Sequence, residues 1–303
     1  MAKKTFAVMG ATGQVGRPLL DALLGKGHRV RAIGRDFKKL EALRAKGAQT
    51  FPAAFDDASR LSEAFFGCEA VFAMIPPEYG AEDPGACQDR IGESIRDAAA
   101  RSGVRKIVSL SSIGAQHASG TGPVKGLYRQ EQRLNALGGL DVVHLRPCYF
   151  MQNFYWAAPA IRERGVVVSA LKSNQAMWMV STNDIGWKAA ELLEGAAFEG
   201  KSAFELVGPR QLAQAEAVGI LAQALGRPEL KYVQASYDEQ EKALLGAGMS
   251  RGLAGLFVEM QKGFNEGLFA TTQELTAEHK GTATFETFAR EFAQAFKGQP
   301  VGV

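Results

Sequence analysis

Two spacings of apolar residues alternate along the first half of the chain. Thr5-Phe6-Ala7-Val8-Met9 is a short apolar run with β-branched and aromatic members that stops at glycines, which predicts a buried strand. From Gln14 to Lys26 the residues Val15, Leu19, Leu20, Leu23 and Leu24 recur along one helical face, with Pro18 in the first turn and Gly25 and Gly27 at the end. The cycle then repeats. Strands are predicted at 28–33, 48–51, 70–74, 106–110 and 142–145, and helices near 37–45, 59–66, 88–101 and 127–137. This alternation means βαβ units, so residues 1–150 are read as a Rossmann-type, doubly wound α/β core with a mostly parallel sheet. Ligands of such sheets bind outside the carboxyl ends of the strands.

After residue 150 the rhythm changes. Helices are predicted near 153–163, 184–195 and 211–225, strand-like pieces at 166–169, 178–181 and 203–207, and a mainly helical stretch over 238–297. Asn183 or Thr182 can cap the 184–195 helix, whose stripe is Ile185, Ala189, Leu192 and Leu193. Residues 151–303 are therefore read as a smaller, mainly helical part that binds substrate or a partner, with some strands returning to the core sheet. Asn153, Phe154, Tyr155 and Trp156, with Met177, Trp178 and Met179, offer an aromatic and thioether wall for a flat ligand. The helix around 253–269, with Leu256, Phe257, Met260, Phe264 and Leu268, reads as core, with a partner-binding groove as the alternative.

Composition narrows the functional classes. The 303 residues carry a net charge of +3 with 46% hydrophobic and 22% charged positions, which excludes a disordered chain and gives no basic stripe for nucleic acid. Cys68, Cys87 and Cys148 are odd in number and widely spaced, and the four histidines show no paired ligand spacing; neither a disulfide framework nor a metal site is expected. The basic start Met1-Ala2-Lys3-Lys4 leads into an apolar run too short for a secretory h-region of at least ~7 residues. No run approaches the ~18 apolar residues of a membrane span. The expectation is a soluble, cytoplasmic, reduced protein without a direct membrane or nucleic-acid partner.

The glycines carry the chemistry. Gly10-Ala11-Thr12-Gly13-Gln14-Val15-Gly16 follows the first strand and opens the first helix. Glycine permits the tight turn, the approach of a pyrophosphate to the backbone, and close helix–strand packing; the helix N-terminus then offers N–H donors to the phosphates. At the end of the second strand stands Arg35, where an NAD enzyme places an acid against the ribose hydroxyls. A guanidinium binds a 2′-phosphate, so NADP is favoured over NAD, and Asp36 is assigned to capping the next helix.

Together these residues resemble the NmrA-like family, an atypical branch of the short-chain dehydrogenase/reductases allied to isoflavone-reductase-like enzymes and NAD(P)H quinone reductases. The resemblance rests on the glycine motif, Arg35-Asp36, Asp56 after strand three, Leu145-Arg146-Pro147, Phe150-Met151-Gln152-Asn153, Ser181-Thr182-Asn183-Asp184-Ile185 and Phe204-Glu205-Leu206-Val207-Gly208-Pro209. It implies that Gly10, Thr12, Gly13, Gln14, Val15 and Gly16 cradle pyrophosphate and that Arg35 meets the adenosine phosphate. Phe55 and Asp56 would lie along adenine, Met74, Ile75 and Pro76 beside adenosine and ribose, and Pro147, Cys148, Tyr149 and Phe150 beside the nicotinamide.

Ordinary members of the superfamily use Ser, Tyr and Lys, the last two as YxxxK on a helix. Here Gln132 stands four residues after Tyr128, so that pairing fails. Matching backwards from Gly139-Leu140-Asp141 puts Tyr128 where relatives place the lysine. Ser111 and Ser112 could orient a carbonyl or simply close a turn. Lys125 and His117 read as exposed loop residues and Cys148 as an inert buried thiol. Two functions follow. One is an NADPH-dependent reductase of a small flat apolar electrophile such as a quinone or enone, with Tyr128 and Ser111 as catalytic candidates. The alternative is a catalytically silent NADP(H) sensor acting through a protein partner. A sugar epimerase normally needs YxxxK and is set aside.

Overall fold

The computed structural model describes residues 3–195 and 198–298; Met1 and Ala2 of the basic start lie outside the described residues. Six strands, β1 (Thr5–Met9), β2 (Arg29–Gly34), β3 (Gln49–Pro52), β4 (Ala70–Ala73), β5 (Lys106–Leu110) and β6 (Asp141–Pro147), alternate with five helices. These are α1 (Gly16–Gly25), α2 (Phe37–Arg44), α3 (Ala58–Phe65), α4 (Pro84–Ser102) and α5 (Val124–Asn135). Asp36 caps α2 by accepting from the Lys39 N–H at 3.1 Å, as its position predicts. Helix α4 starts four residues earlier than its apolar stripe, because Asp83 caps it and Pro84 fits its first turn.

The second half adds β7 (Tyr149–Phe150), α6 (Ala158–Arg164), β8 (Val166–Ser169), β9 (Ala176–Val180) and α7 (Thr182–Gly195). After these come β10 (Lys201–Leu206), β11 (Gln211–Ala213), α8 (Gln214–Leu225), β12 (Lys231–Gln234), α9 (Tyr237–Gly246), α10 (Arg251–Asn265) and α11 (Phe285–Gly298). The main sheet has the order β10-β6-β5-β4-β1-β2-β3 with every pairing parallel, so β10 returns to the core beside β6. Successive residues serve opposite faces. Phe6, Val8, Phe72 and Val108 join the core under α1, α7 and the C-terminal part, whereas Ala7, Met9, Val71 and Ile107 join the core under α3 and α4.

Three sequence expectations change. The cap of α7 is Ser181, whose Oγ accepts from Asn183 N at 3.2 Å, while Thr182 already lies inside the helix. Residues 211–213, predicted as the start of a helix, form β11, because Leu212 and its neighbours pair with β9 and backbone pairing overrides their helical spacing. Strand β12 went unpredicted; its four residues pair in parallel with β8.

Helix α7 lies close on α1. A Cβ at Gly186 would stand 2.7 Å from both Val15 O and Pro18 Cγ, so glycine alone allows this approach. From residue 266 to 284 the chain runs as a strap between α10 and α11, held by two buried carboxylates. Glu205 on β10 accepts from Thr272 N at 2.9 Å, Thr272 Oγ1 at 2.7 Å and Gln273 N at 3.1 Å. Asp184 on α7 accepts from Thr282 Oγ1 at 3.2 Å and Ala283 N at 3.0 Å.

His144 on β6 is 2% exposed, and its Nε2 meets Asn135 Oδ1 at 2.9 Å. Burial pushes its pKa from 6.5 down to about 4; Glu131 opposes this, and Arg146 and Lys201 add to it. A histidine whose folded value lies below its unfolded one binds fewer protons when folded. Its contribution is therefore complete above about pH 6.5 and is lost as pH falls towards 4. We expect the protein to lose about 2 kcal/mol between about pH 7.5 and about pH 5 from this group, and His144→Gln to flatten that part of the urea-unfolding profile. An unchanged slope in the variant would show that the folded imidazole titrates normally.

Candidate functional site

The crevice opens at the C-terminal ends of β1 and β4, the neighbouring strands from which the sheet order runs in opposite directions. Gly10 turns the chain at φ 65°, and its carbonyl accepts from Gly13 N at 2.9 Å. A Cβ at Gly16 would stand 2.1 Å from Gly10 O and 2.8 Å from Ala11 Cα, so the start of α1 can rest on the loop only through glycine. Val15, at the N-cap position, offers no side-chain acceptor. The start of α1, with Arg17 N donating to Gly13 O at 3.0 Å and no side-chain cap, borders a cavity of about 460 Å³ lined by Gly13, Gln14, Val15 and Gly16.

Gly10, Met74, Cys148, Tyr149 and Phe150 line the same cavity. A second pocket of about 330 Å³ holds Arg35, Phe55, Asp56 and Pro76. The segment after β4 runs between the two, with Met74, Pro77 and Tyr79 facing the first and Pro76 and Glu78 the second. Thr12, Ile75 and Pro147 line neither pocket. Thr12 is instead tied to the loop through its carbonyl, which accepts from Arg17 Nε at 2.9 Å.

The two catalytic candidates are not brought to the cavity wall. Ser111 is buried and donates to Glu131 Oε1 at 2.5 Å, and Glu131 is held by Arg146 through two nitrogens at 2.5 and 2.9 Å. The buried Glu131 carboxylate is thus satisfied by the Ser111 hydroxyl and the Arg146 guanidinium together. Tyr128, half-buried on α5, lines neither pocket. It is Ser112 that reaches the cavity, and its hydroxyl donates to Ile113 O at 2.8 Å. Lys125 pairs with Glu259 of α10 at 3.0 Å.

The aromatic wall differs from expectation in its members. Met151–Ala157 is a 3-10 helix with three residues per turn, so Asn153 and Trp156 share a face and line the cavity. Phe154 and Tyr155 turn the other way and pack on Phe285 and Phe292 of α11. Met177, Trp178 and Met179 form β9 and do not line the cavity. Their place is taken by Phe257, Met260 and Phe264 of α10, with Phe269 beyond it, stacked on Phe264 at 3.8 Å between centroids. The apolar stripe of α10 was visible in the sequence, but as a core stripe. Tyr79 and Trp156 meet edge to face at 5.2 Å.

No carboxylate, imidazole, amine or guanidinium is among the described residues lining the larger cavity. Burial raises the Tyr79 phenol, and it pushes the Cys148 thiol and the Tyr149 phenol well above their ordinary ranges. The walls hold orienting hydroxyls and amides but no group that exchanges a proton near neutral pH. Among the described residues no helix is long and apolar enough to cross a membrane.

The chain is 28% identical over 295 residues to an NAD(P)H azoreductase of Xenophilus azovorans, covering 95% of this chain and 98% of that one. It is 30% identical over 293 residues to a (4-alkanoyl-5-oxo-2,5-dihydrofuran-3-yl)methyl phosphate reductase of Streptomyces griseus, with the same coverage. The fold matches an NADPH-dependent quinone oxidoreductase of Escherichia coli solved with NADPH, at a TM-score of 0.80 and 24% identity over 95% of this chain and 99% of that one. A family model spans residues 2–289. By that match and these relatives, the chain belongs to the NmrA-like family.

Proposed function

We propose that the protein binds a nicotinamide dinucleotide, NADP(H) in preference to NAD(H), along the crevice and reduces a small, flat, apolar electrophile such as a quinone or enone. The observation that carries this reading is the larger cavity: about 460 Å³, walled by aromatic and thioether side chains, beside a helix N-terminus that no side chain caps. The residues fit the cofactor. Glycine stands where a Cβ would collide with the turn, the N-terminal end of α1, which no side chain caps, suits a pyrophosphate, and Arg35 lies in the pocket that suits adenosine.

When bound, the reduced nicotinamide supplies hydride. The chain's own contribution is to orient and to exclude water. Phe264, Phe269, Met260 and Trp156 offer flat and adaptable surface to a ring, and the Asn153 amide, or the Ser112 hydroxyl once it turns from Ile113 O, can donate to its oxygen. A wall without an acid suits a substrate whose reduced anion is delocalised and takes its proton from solvent. The relatives named as an NAD(P)H azoreductase and a quinone oxidoreductase support the same substrate chemistry.

The test is a paired assay. NADPH and NADH are titrated by nicotinamide fluorescence, and the absorbance of the reduced cofactor is then followed with a panel of small quinones. We expect NADPH binding, quinone-dependent oxidation, and a Tyr128→Phe variant whose kcat stays within about threefold of the parent. Binding without turnover on any quinone would favour the silent sensor acting through a protein partner. Failure to bind either nucleotide would remove the basis of both readings.

A further inference from the structure

We infer that Glu78 competes with the 2′-phosphate for Arg35, so that this ion pair sets how strongly the site separates NADP(H) from NAD(H); the inference rests on the nucleotide reading above. Arg35 ends β2, Glu78 follows β4, and their side chains are ion-paired across the smaller pocket. The other two charged residues lining that pocket, Asp56 and Arg90, pair with each other at 3.0 Å. Among the described residues the pocket wall thus carries two guanidinium groups and two carboxylates, each cation already facing an anion.

A phosphate dianion entering here finds Nη1 of Arg35 already engaged by Glu78, so it must displace that carboxylate or bind beside it against its charge. The displaced carboxylate is then repelled by the phosphate and must turn to water, which its 34% exposure permits. NAD(H) carries a hydroxyl at that position. It brings no anion, leaves the ion pair intact, and can donate to the Glu78 carboxylate. Glu78 therefore weakens NADP(H) binding while leaving NAD(H) unaffected or slightly favoured.

The experiment is direct titration of NADPH and NADH by fluorescence on the full chain and on Glu78→Gln, Arg35→Ala, their combination, and Glu82→Gln. The last removes a charge from an exposed residue of the same segment. Glu78→Gln is expected to tighten NADPH by about three- to tenfold with NADH unchanged or weaker, and Arg35→Ala to weaken NADPH far more than NADH. The gain from Glu78→Gln should shrink once Arg35 is alanine. Weaker NADPH binding by Glu78→Gln would show that Glu78 positions Arg35 and would overturn the inference. So would an equal change for both nucleotides, or a gain matched by Glu82→Gln. If the parent binds neither nucleotide, the functional reading fails first; if it binds both and their ratio ignores Glu78, only this inference fails.

Discussion

Gly16→Ala is expected to weaken nucleotide binding by at least about a hundredfold while the chain stays folded. The new Cβ would stand 2.1 Å from Gly10 O and 2.7 Å from Gly10 C, both backbone atoms that no rotamer change can move. To relieve this, α1 must slide away from the loop, taking its N-terminal end out of register with the phosphates it would face. Gly186 ties the start of α1 to α7, so the shift cannot spread along the helix cheaply. Gly25 is the control: it ends the same helix, has nothing within 4 Å of its would-be Cβ, and its alanine variant should bind as the parent does. Fluorescence titration together with circular dichroism separates the outcomes. A folded Gly16→Ala that binds NADPH normally would refute the role of this loop.

Glu205→Ala is expected to destabilise the protein by about 3 kcal/mol and to lower Tm by at least about 5 °C. The carboxylate is fully buried and makes no ion pair among the described residues. The donors of Thr272 and Gln273 take the place of its water. Removing it takes the acceptor from three part-buried donors and leaves a cavity where the fully buried carboxylate stood, a larger loss than the net worth of the bonds themselves. The strap leads directly from Phe269, so the cavity's far wall should loosen with it. A thermal melt within about a degree of the parent would show that water replaces the carboxylate at no cost.

How much of this was legible in the sequence depends on the range of the interactions involved. β1, β5 and the α2 cap follow from neighbours a few residues apart, and the pattern delivers them nearly to the residue. The glycine loop was legible for the same reason: what Gly16 must avoid, Gly10, lies six residues away. The placement of Ser111 is not legible, because its partner, Glu131, comes from another element and its burial cannot be read from spacing. The wall was legible only in part because four consecutive residues of a helical turn cannot share one face: Asn153 and Trp156 face the cavity, and Phe154 and Tyr155 pack on α11. Phe257, Met260 and Phe264 carry the same pattern whether a stripe faces a core or a cavity, and only the tertiary fold decides.

The return of β10 to the sheet has a consequence for biogenesis. Until Lys201–Leu206 has left the ribosome, β6 is an open edge with unpaired N–H and C=O groups, a surface on which nascent chains can pair wrongly. The glycine loop after β1 is translated well before the cavity's opposite wall, Phe257 to Phe269. A ligand that needs both stabilises, by mass action, only a chain that already carries both, and gives no help before the second has been made.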